Sequence, residues 1–144
     1  LQSGDPGYIA GQTHGLIASS ADLSAGATWN NGTNTTTGAI ATALGTGSAN
    51  TTAIISSQGN TGSYAAKLCR DYTGGGYNDW YLPSKDELNK LYLNRATIGG
   101  FVISFYWTSS ETTNVNARVQ YFSDGYQDFD VKGGSHYVRA VRSF

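Results

Sequence analysis

The sequence predicts an α+β fold, in which a twisted antiparallel sheet carries two or three short helices and long ordered loops. Three observations lead there. Only 13% of the 144 residues are charged and 19 are Gly, amid abundant Ser, Thr and Asn, a composition that suits short strands and turns better than long helices. Two stretches in the middle repeat apolar residues at spacings of three and four, and the stretch after Gly100 interleaves aromatic and polar residues as half-buried strands do. Disorder is excluded as a competing reading, because 18 aromatic residues and a net charge of −1 are the opposite of a disordered composition.

The first residues place Gly at every third position, in Gly4-Asp5-Pro6-Gly7-Tyr8-Ile9, as where a collagen triple helix runs out. An ordinary Asp-Pro-Gly turn accounts for them equally well. The expected division is therefore residues 1–12 as the end of a collagen-like stalk or a linker, and residues 13–144 as one binding domain. The absence of Met and of a charged-then-apolar leader suggests a piece of a longer, processed chain.

From Ala25 to Ser63 small polar residues dominate, with Trp29, Ile40, Leu44, Ile54 and Ile55 as anchors for long loops. Ser48 or Asn50 is expected to cap a short helix carrying Ala53, Ile54 and Ile55, which Gly59 ends. Thr61 to Tyr72 reads as a helix, because Ala65, Leu68, Cys69 and Tyr72 share one face while Lys67 and Arg70 point away. Ser84-Lys85-Asp86-Glu87 is a capping box, in which the Ser hydroxyl accepts from the Glu87 amide and the carboxylate reaches back. Leu88, Leu91 and Tyr92 then form the buried stripe, and Gly99-Gly100 closes the segment. Strands are expected at Phe101–Trp107, Ala117–Phe122, Tyr126–Val131 and Tyr137–Phe144, with Asp124-Gly125 as a hairpin turn.

Catalytic residues are scarce. His14, His136 and Cys69 are the only residues of their types. Cys69 falls on an apolar helix face, where a thiol is inert, and His136 follows Gly133-Gly134-Ser135 in a turn. There is no nucleophile elbow, and Gly45-Thr46-Gly47-Ser48 lacks the lysine of a phosphate-binding loop. The chain is therefore expected not to be an enzyme. A single Cys excludes an internal disulfide framework, and no metal or other cofactor is expected. Asp124, Asp128 and Asp130 offer oxygen ligands for calcium without matching an EF-hand loop, and a solvated or Arg-paired face competes with that reading.

Near-neutral charge gives no global attraction to nucleic acid, and no apolar run is long enough for membrane insertion. The basic residues nevertheless begin only at Lys67, leaving residues 1–66 without any. Lys67, Arg70, Lys85, Lys90, Arg95, Arg118, Lys132 and Arg139 are the candidate ligand-binding residues, since Lys and Arg give charge-assisted bonds to sulfate. For each alone, a solubilising role is the simpler reading. Arg139 and Arg142, three apart in a strand, face opposite sides, so one is expected to be buried against a carboxylate such as Glu111.

Asn78-Asp79-Trp80-Tyr81-Leu82-Pro83-Ser84-Lys85-Asp86-Glu87-Leu88, Gly99-Gly100-Phe101, Tyr106-Trp107-Thr108-Ser109-Ser110-Glu111 and the closing Val138-Arg139-Ala140-Val141-Arg142-Ser143-Phe144 carry a family resemblance. In that order they resemble the C-terminal domain family named after the Legionella collagen-like protein, Lcl. Upstream, Ala41 to Ile55 and the Ala65 to Tyr72 segment look similar too. The Leu-Pro-Ser-x-x-Glu helix start and terminal Val-Arg strand also resemble elements of formylglycine-generating-enzyme and C-type-lectin-like folds.

The family resemblance implies a secreted or bacterial cell-surface adhesin head that binds sulfated glycosaminoglycans and fucoidan-like polysaccharides, supports host attachment and biofilm, and forms a homotrimer on its stalk. Its motifs look structural, with Trp80 and Trp107 as core, Ser84 and Glu87 as cap and Glu111 as an ion-pair partner. The binding residues therefore come from the basic positions and not from a family motif. Calcium-dependent sugar binding and a ligand-free trimerisation cap remain the alternatives.

Overall fold

The computed structural model describes residues 2–6 and 8–144. Gly7 of the collagen-like triplets lies outside the described residues, and ahead of it a turn is closed by the Asp5 amide donating to the Gln2 carbonyl at 2.9 Å. Strands β1 (Leu16–Ala18) and β2 (Ser24–Ala27) lead into a long loop. Helices α1 (Gly47–Gln58), α2 (Ala65–Asp71), α3 (Lys85–Leu93) and α4 (Arg95–Ile98) follow, with a 3-10 turn at Gly74–Gly76. The chain closes with β3 (Phe105–Glu111), β4 (Asn116–Tyr121), β5 (Gln127–Val131), β6 (His136–Val138) and β7 (Val141–Ser143).

These elements form the expected α+β fold. The larger sheet has the order β2-β6-β3-β4-β5, antiparallel except where Tyr106 of β3 meets Tyr137 of β6 in parallel. A second sheet pairs β1 with β7, so the two ends of the domain close on each other. Tyr81 and Val141 exchange backbone hydrogen bonds at 2.8 and 3.0 Å beside it.

Helices number four among the described residues, against the two or three expected. The extra one is the short α4, which restarts after Asn94. Neither Ser48 nor Asn50 caps α1. Thr46 holds that position without a side-chain bond, and the Asn50 amide instead donates to the Ala41 carbonyl at 2.7 Å. The second helix begins at Ala65 and not at Thr61, because the Ala65 amide is taken by the Thr28 carbonyl at 2.8 Å. The expected final strand is two strands, because Ala140 pairs with Ser19 while Arg139 turns its side chain inward. The capping box at Ser84 and Glu87 is complete, and Gly125 takes φ 82° at the hairpin turn.

All three Trp are buried, and each indole N–H reaches a carbonyl as a buried ring requires: Trp29 to Thr108, Trp107 to Ala27 and Trp80 to Gly74. One core gathers Trp29, Ile54, Tyr64, Trp107 and Val138 between α1, α2 and the sheet. A second gathers Leu88, Leu91, Tyr106 and Phe122 beneath α3. Glu87 joins the helices. Its buried carboxylate accepts from the Ser84 and Gly45 amides at 2.7 and 2.9 Å, and a methyl group at Gly47 would overlap it.

Residues 28–46 have few apolar side chains and are held by polar bonds instead. The Glu111 carboxylate accepts from the Thr37 amide at 2.9 Å, the Thr37 hydroxyl at 2.7 Å, the Gly38 amide at 3.1 Å and Lys132 Nζ at 2.6 Å. Lys132 Nζ also donates to the Thr35 carbonyl at 2.8 Å and lies 4.6 Å from the centre of the Trp29 ring. Both side chains of this ion pair are buried.

Removing one partner of such a pair costs about 3–5 kcal/mol, because the other charge remains buried and unpaired. Glu111→Gln is therefore expected to destabilise the domain by that order in denaturant unfolding, and adding Lys132→Met to recover most of the loss. Acid acts through the same group. Burial alone would raise the Glu111 carboxyl, but Lys132 and the Thr37 donors outweigh it and hold it below the usual range. Its contribution is therefore present above the ordinary carboxylate pKa and lost as pH falls through the lowered one. Burial raises Asp22 and Glu87, so protonating them favours the folded state and softens that loss. Thermal unfolding from neutral to strongly acid pH should show a smaller final acid drop in the Glu111→Gln protein than in the unsubstituted one.

Candidate polysaccharide-binding seam

The eight candidate basic residues do not form one surface. Two are structural. Lys132 is fully buried on Glu111, and the Arg139 side chain is fully buried with Nη1 3.1 Å from Asp22 and Nη2 2.5 Å from the Gly99 carbonyl. Arg139 also lies over the Phe101 ring at 4.1 Å, so neither can meet a ligand without unfolding its surroundings. Burial of one of Arg139 and Arg142 was the expectation, and it is met with Asp22 as the carboxylate. Glu111 belongs to Lys132.

Three more candidates have a carboxylate beside them. Lys67 pairs with Asp71, Lys85 with Asp86 at 3.3 Å and Lys90 with Asp5 at 2.9 Å. Arg142 is held by Asp79 at 2.7 and 2.8 Å. The helices carrying these residues also differ in setting, since α2 packs on α1 and β6 whereas α3 packs on β3 and β4. Lys67 and Arg70 on α2 are thus set apart in packing from Lys85 and Lys90 on α3.

Arg70, Arg95 and Arg118 are the candidates without a carboxylate among the described residues. Arg70 donates to the Thr52 hydroxyl at 2.9 Å. Arg95 donates to the Tyr92 carbonyl at 2.8 Å and lies 4.0 Å over the Tyr92 ring. Arg118 makes no ion pair, and its Nε is buried without a hydrogen-bond partner.

Arg118 lies along a seam where α3 meets the β4–β5 hairpin. Alternation places it on the same face of β4 as Gln120, whose amide donates to Asn89 of α3 at 2.8 Å. Across the ladder Arg118 pairs with Phe129, which is 56% exposed. Gln127, on the same face of β5 as Phe129, donates to the Lys85 carbonyl at the start of α3. At the far end Tyr92 packs on Phe122 with centroids 5.6 Å apart and fills the space over Gly125, where a methyl group would overlap its ring. Nine residues of α3 give the seam a length of about 14 Å.

Gln120 Oε1 is a second buried polar atom in the seam without a partner. Buried polar atoms are rarely left so; the half-buried Arg118 offers its guanidinium to an incoming polar ligand, while the fully buried Gln120 frames it. A guanidinium beside amides and an exposed ring suits an acidic sugar, whose sulfate or carboxylate accepts from the fork. Gln120, Gln127, Asn89 and Phe129 were absent from the sequence-based candidates. The available signal was period-two alternation, which groups Arg118 with Gln120 and Gln127 with Phe129.

Asp124, Asp128 and Asp130 do not converge. Each accepts a nearby backbone amide, from Tyr126, Phe129 and Val131 respectively, and Asp130 also meets His136 Nε2 at 2.7 Å. Among the described residues no three His, Cys, Asp or Glu side chains come together to hold a metal ion. Cys69 is buried, and burial pushes its thiol far above the ordinary range, which disfavours the reactive thiolate.

No curated protein matches the chain. The family model described as the Lcl C-terminal domain matches residues 19–142, from the Ser19–Ala140 contact through the Arg142–Asp79 pair. By that match over nearly its whole length, the chain belongs to the Lcl C-terminal domain family, a domain of collagen-like proteins.

Proposed function

We propose that this domain is the extracellular, non-enzymatic head of a bacterial surface adhesin and holds sulfated polysaccharide along the α3–β4/β5 seam. The observation that carries the reading is Arg118, a half-buried guanidinium without a carboxylate partner among the described residues, beside the family membership. Lys85 opens α3 and Arg95 opens α4 just beyond its end. Recognition then rests on short-range charge-assisted bonds and on stacking of sugar on Phe129, and not on a broad positive field.

One such seam gives weak binding, and threefold repetition on a collagen-like stalk would turn it into useful avidity. A cleft of about 660 Å³ supports assembly. It lies between the N-terminal segment, α3, α4 and the C-terminus, and its lining includes Leu16, Leu93, Ile98 and Phe144. Of these, Leu93 is 62%, Phe144 51% and Ile98 40% exposed, more apolar surface than a monomer gains from. A second copy of the chain is the occupant we assign to it, in a homotrimer.

Two measurements test these readings. On immobilised heparin, Arg118→Gln should elute at clearly lower salt, as loss of a charge-assisted bond worth about 1.5–3 kcal/mol implies, while Lys67→Gln elutes unchanged. Equal elution of the unsubstituted and Arg118→Gln proteins would remove the seam from the mechanism. In sedimentation, Leu93→Asp with Ile98→Asp should convert the trimer to monomer with the circular dichroism spectrum preserved. A chain that is monomeric before substitution rules out self-association through this cleft.

A further inference from the structure

Strand β5 ends the larger sheet, and one of its sides has no neighbouring strand among the described residues. Exposed edges of this kind recruit other strands unless something prevents it. The register shows which groups are on offer. Tyr121 N–H donates to the Tyr126 carbonyl and Lys132 N–H to the Val115 carbonyl, both at 2.8 Å, so the hydrogen-bonded pairs alternate through Val119–Asp128 and Ala117–Asp130. The amides of Gln127, Phe129 and Val131 therefore point outward, away from β4.

Two of the three are occupied within the strand itself. Phe129 N–H donates to Asp128 Oδ1 at 2.9 Å and Val131 N–H to Asp130 Oδ1 at 2.7 Å. The Val131 carbonyl is taken by the Gly134 amide at 2.8 Å, and the other oxygen of Asp130 is fixed by His136 Nε2 at 2.7 Å. Each aspartate thus folds onto the amide that follows it. The apolar face is self-complementary all the same, because Phe129 and Val131 are both more than half exposed and lie on one side of the strand.

We propose that Asp128 and Asp130 keep β5 from joining the β5 of a second copy in an antiparallel sheet running across two chains. Pairing centred on Phe129 would set Phe129 against its copy and place Asp128 of each chain opposite Asp130 of the other. The carboxylates act twice: they occupy two of the three donors such a ladder needs, and they set like charges directly across it. This edge lies away from the apolar cleft, and the aspartates lie on the opposite face from Arg118; Phe129 is shared with the seam, but the inference rests on the strand edge and not on ligand binding.

Sedimentation and amide hydrogen exchange on the whole chain test it. Asp128→Ala with Asp130→Ala is expected to double the mass of the sedimenting species relative to the unsubstituted chain at equal concentration, and to slow exchange at Phe129. Adding Phe129→Pro, which removes the outward N–H at an edge position that tolerates proline, should restore the original mass. Because Asp130→Ala also strips His136 of its partner, Asp128→Ala alone serves if the pair does not fold, and a partial rise in mass is then expected. An unchanged mass in a folded alanine variant, or association that survives Phe129→Pro, would overturn the proposal.

Discussion

The buried pair of Glu111 and Lys132 is the contact on which the rest of the domain leans. Residues 28–46 are mostly Gly, Asn, Thr and Ala, and so cannot hold a position by burying surface. The pair supplies what the loop lacks. Glu111 gathers Thr37 and Gly38 through its carboxylate and Ala39 through its own amide, while Lys132 holds Thr35 by its ammonium and Trp29 by its carbonyl. From there the loop is stitched onward, with Ala41 accepting from Ser110 and Asn50, and Ala43 from Ser84. The loop thereby becomes the layer against which α1 and the start of α3 are set.

That arrangement explains which parts of the structure were legible. The capping box at Ser84 and Glu87 and the Asp124-Gly125 turn depend on neighbours in sequence, and both stand where pattern placed them. The stripe of Leu88, Leu91 and Tyr92 does as well. Strands β1 and β2 were invisible because three or four residues of Leu, Ile, Ala, Gly and Ser carry no alternation, and they exist through pairing with β7 and β6. Local propensity says little where partners far along the chain decide.

Charge was the least legible property. Lys132 sits before Gly133-Gly134, where a solvated turn lysine would be expected, yet it is at the centre of the molecule. Nothing within ten residues reports Glu111, which is 21 positions away and across the sheet. Arg139 and Asp22 are separated by 117 positions. Among the described residues six of the nine basic side chains meet a carboxylate, at Lys67, Lys85, Lys90, Lys132, Arg139 and Arg142. Confinement of Lys and Arg to the later part of the chain therefore reflects mostly where the acids that balance them are brought.

On the proposed function, an acidic ligand must then be captured without help from long-range attraction, since a net charge of −1 steers nothing toward the domain. Under those terms binding depends on how long the contact lasts and not on how often it forms, which favours a rigid site over a flexible basic tail. The seam is built for rigidity. Gln120 is tied to Asn89, Gln127 to Lys85 and Tyr92 to Phe122, so the surroundings of Arg118 have lost their freedom before the proposed ligand would arrive. Little ordering cost is left for the ligand to offset, and one guanidinium in a fixed frame can achieve what a diffuse cluster of neutralised lysines cannot.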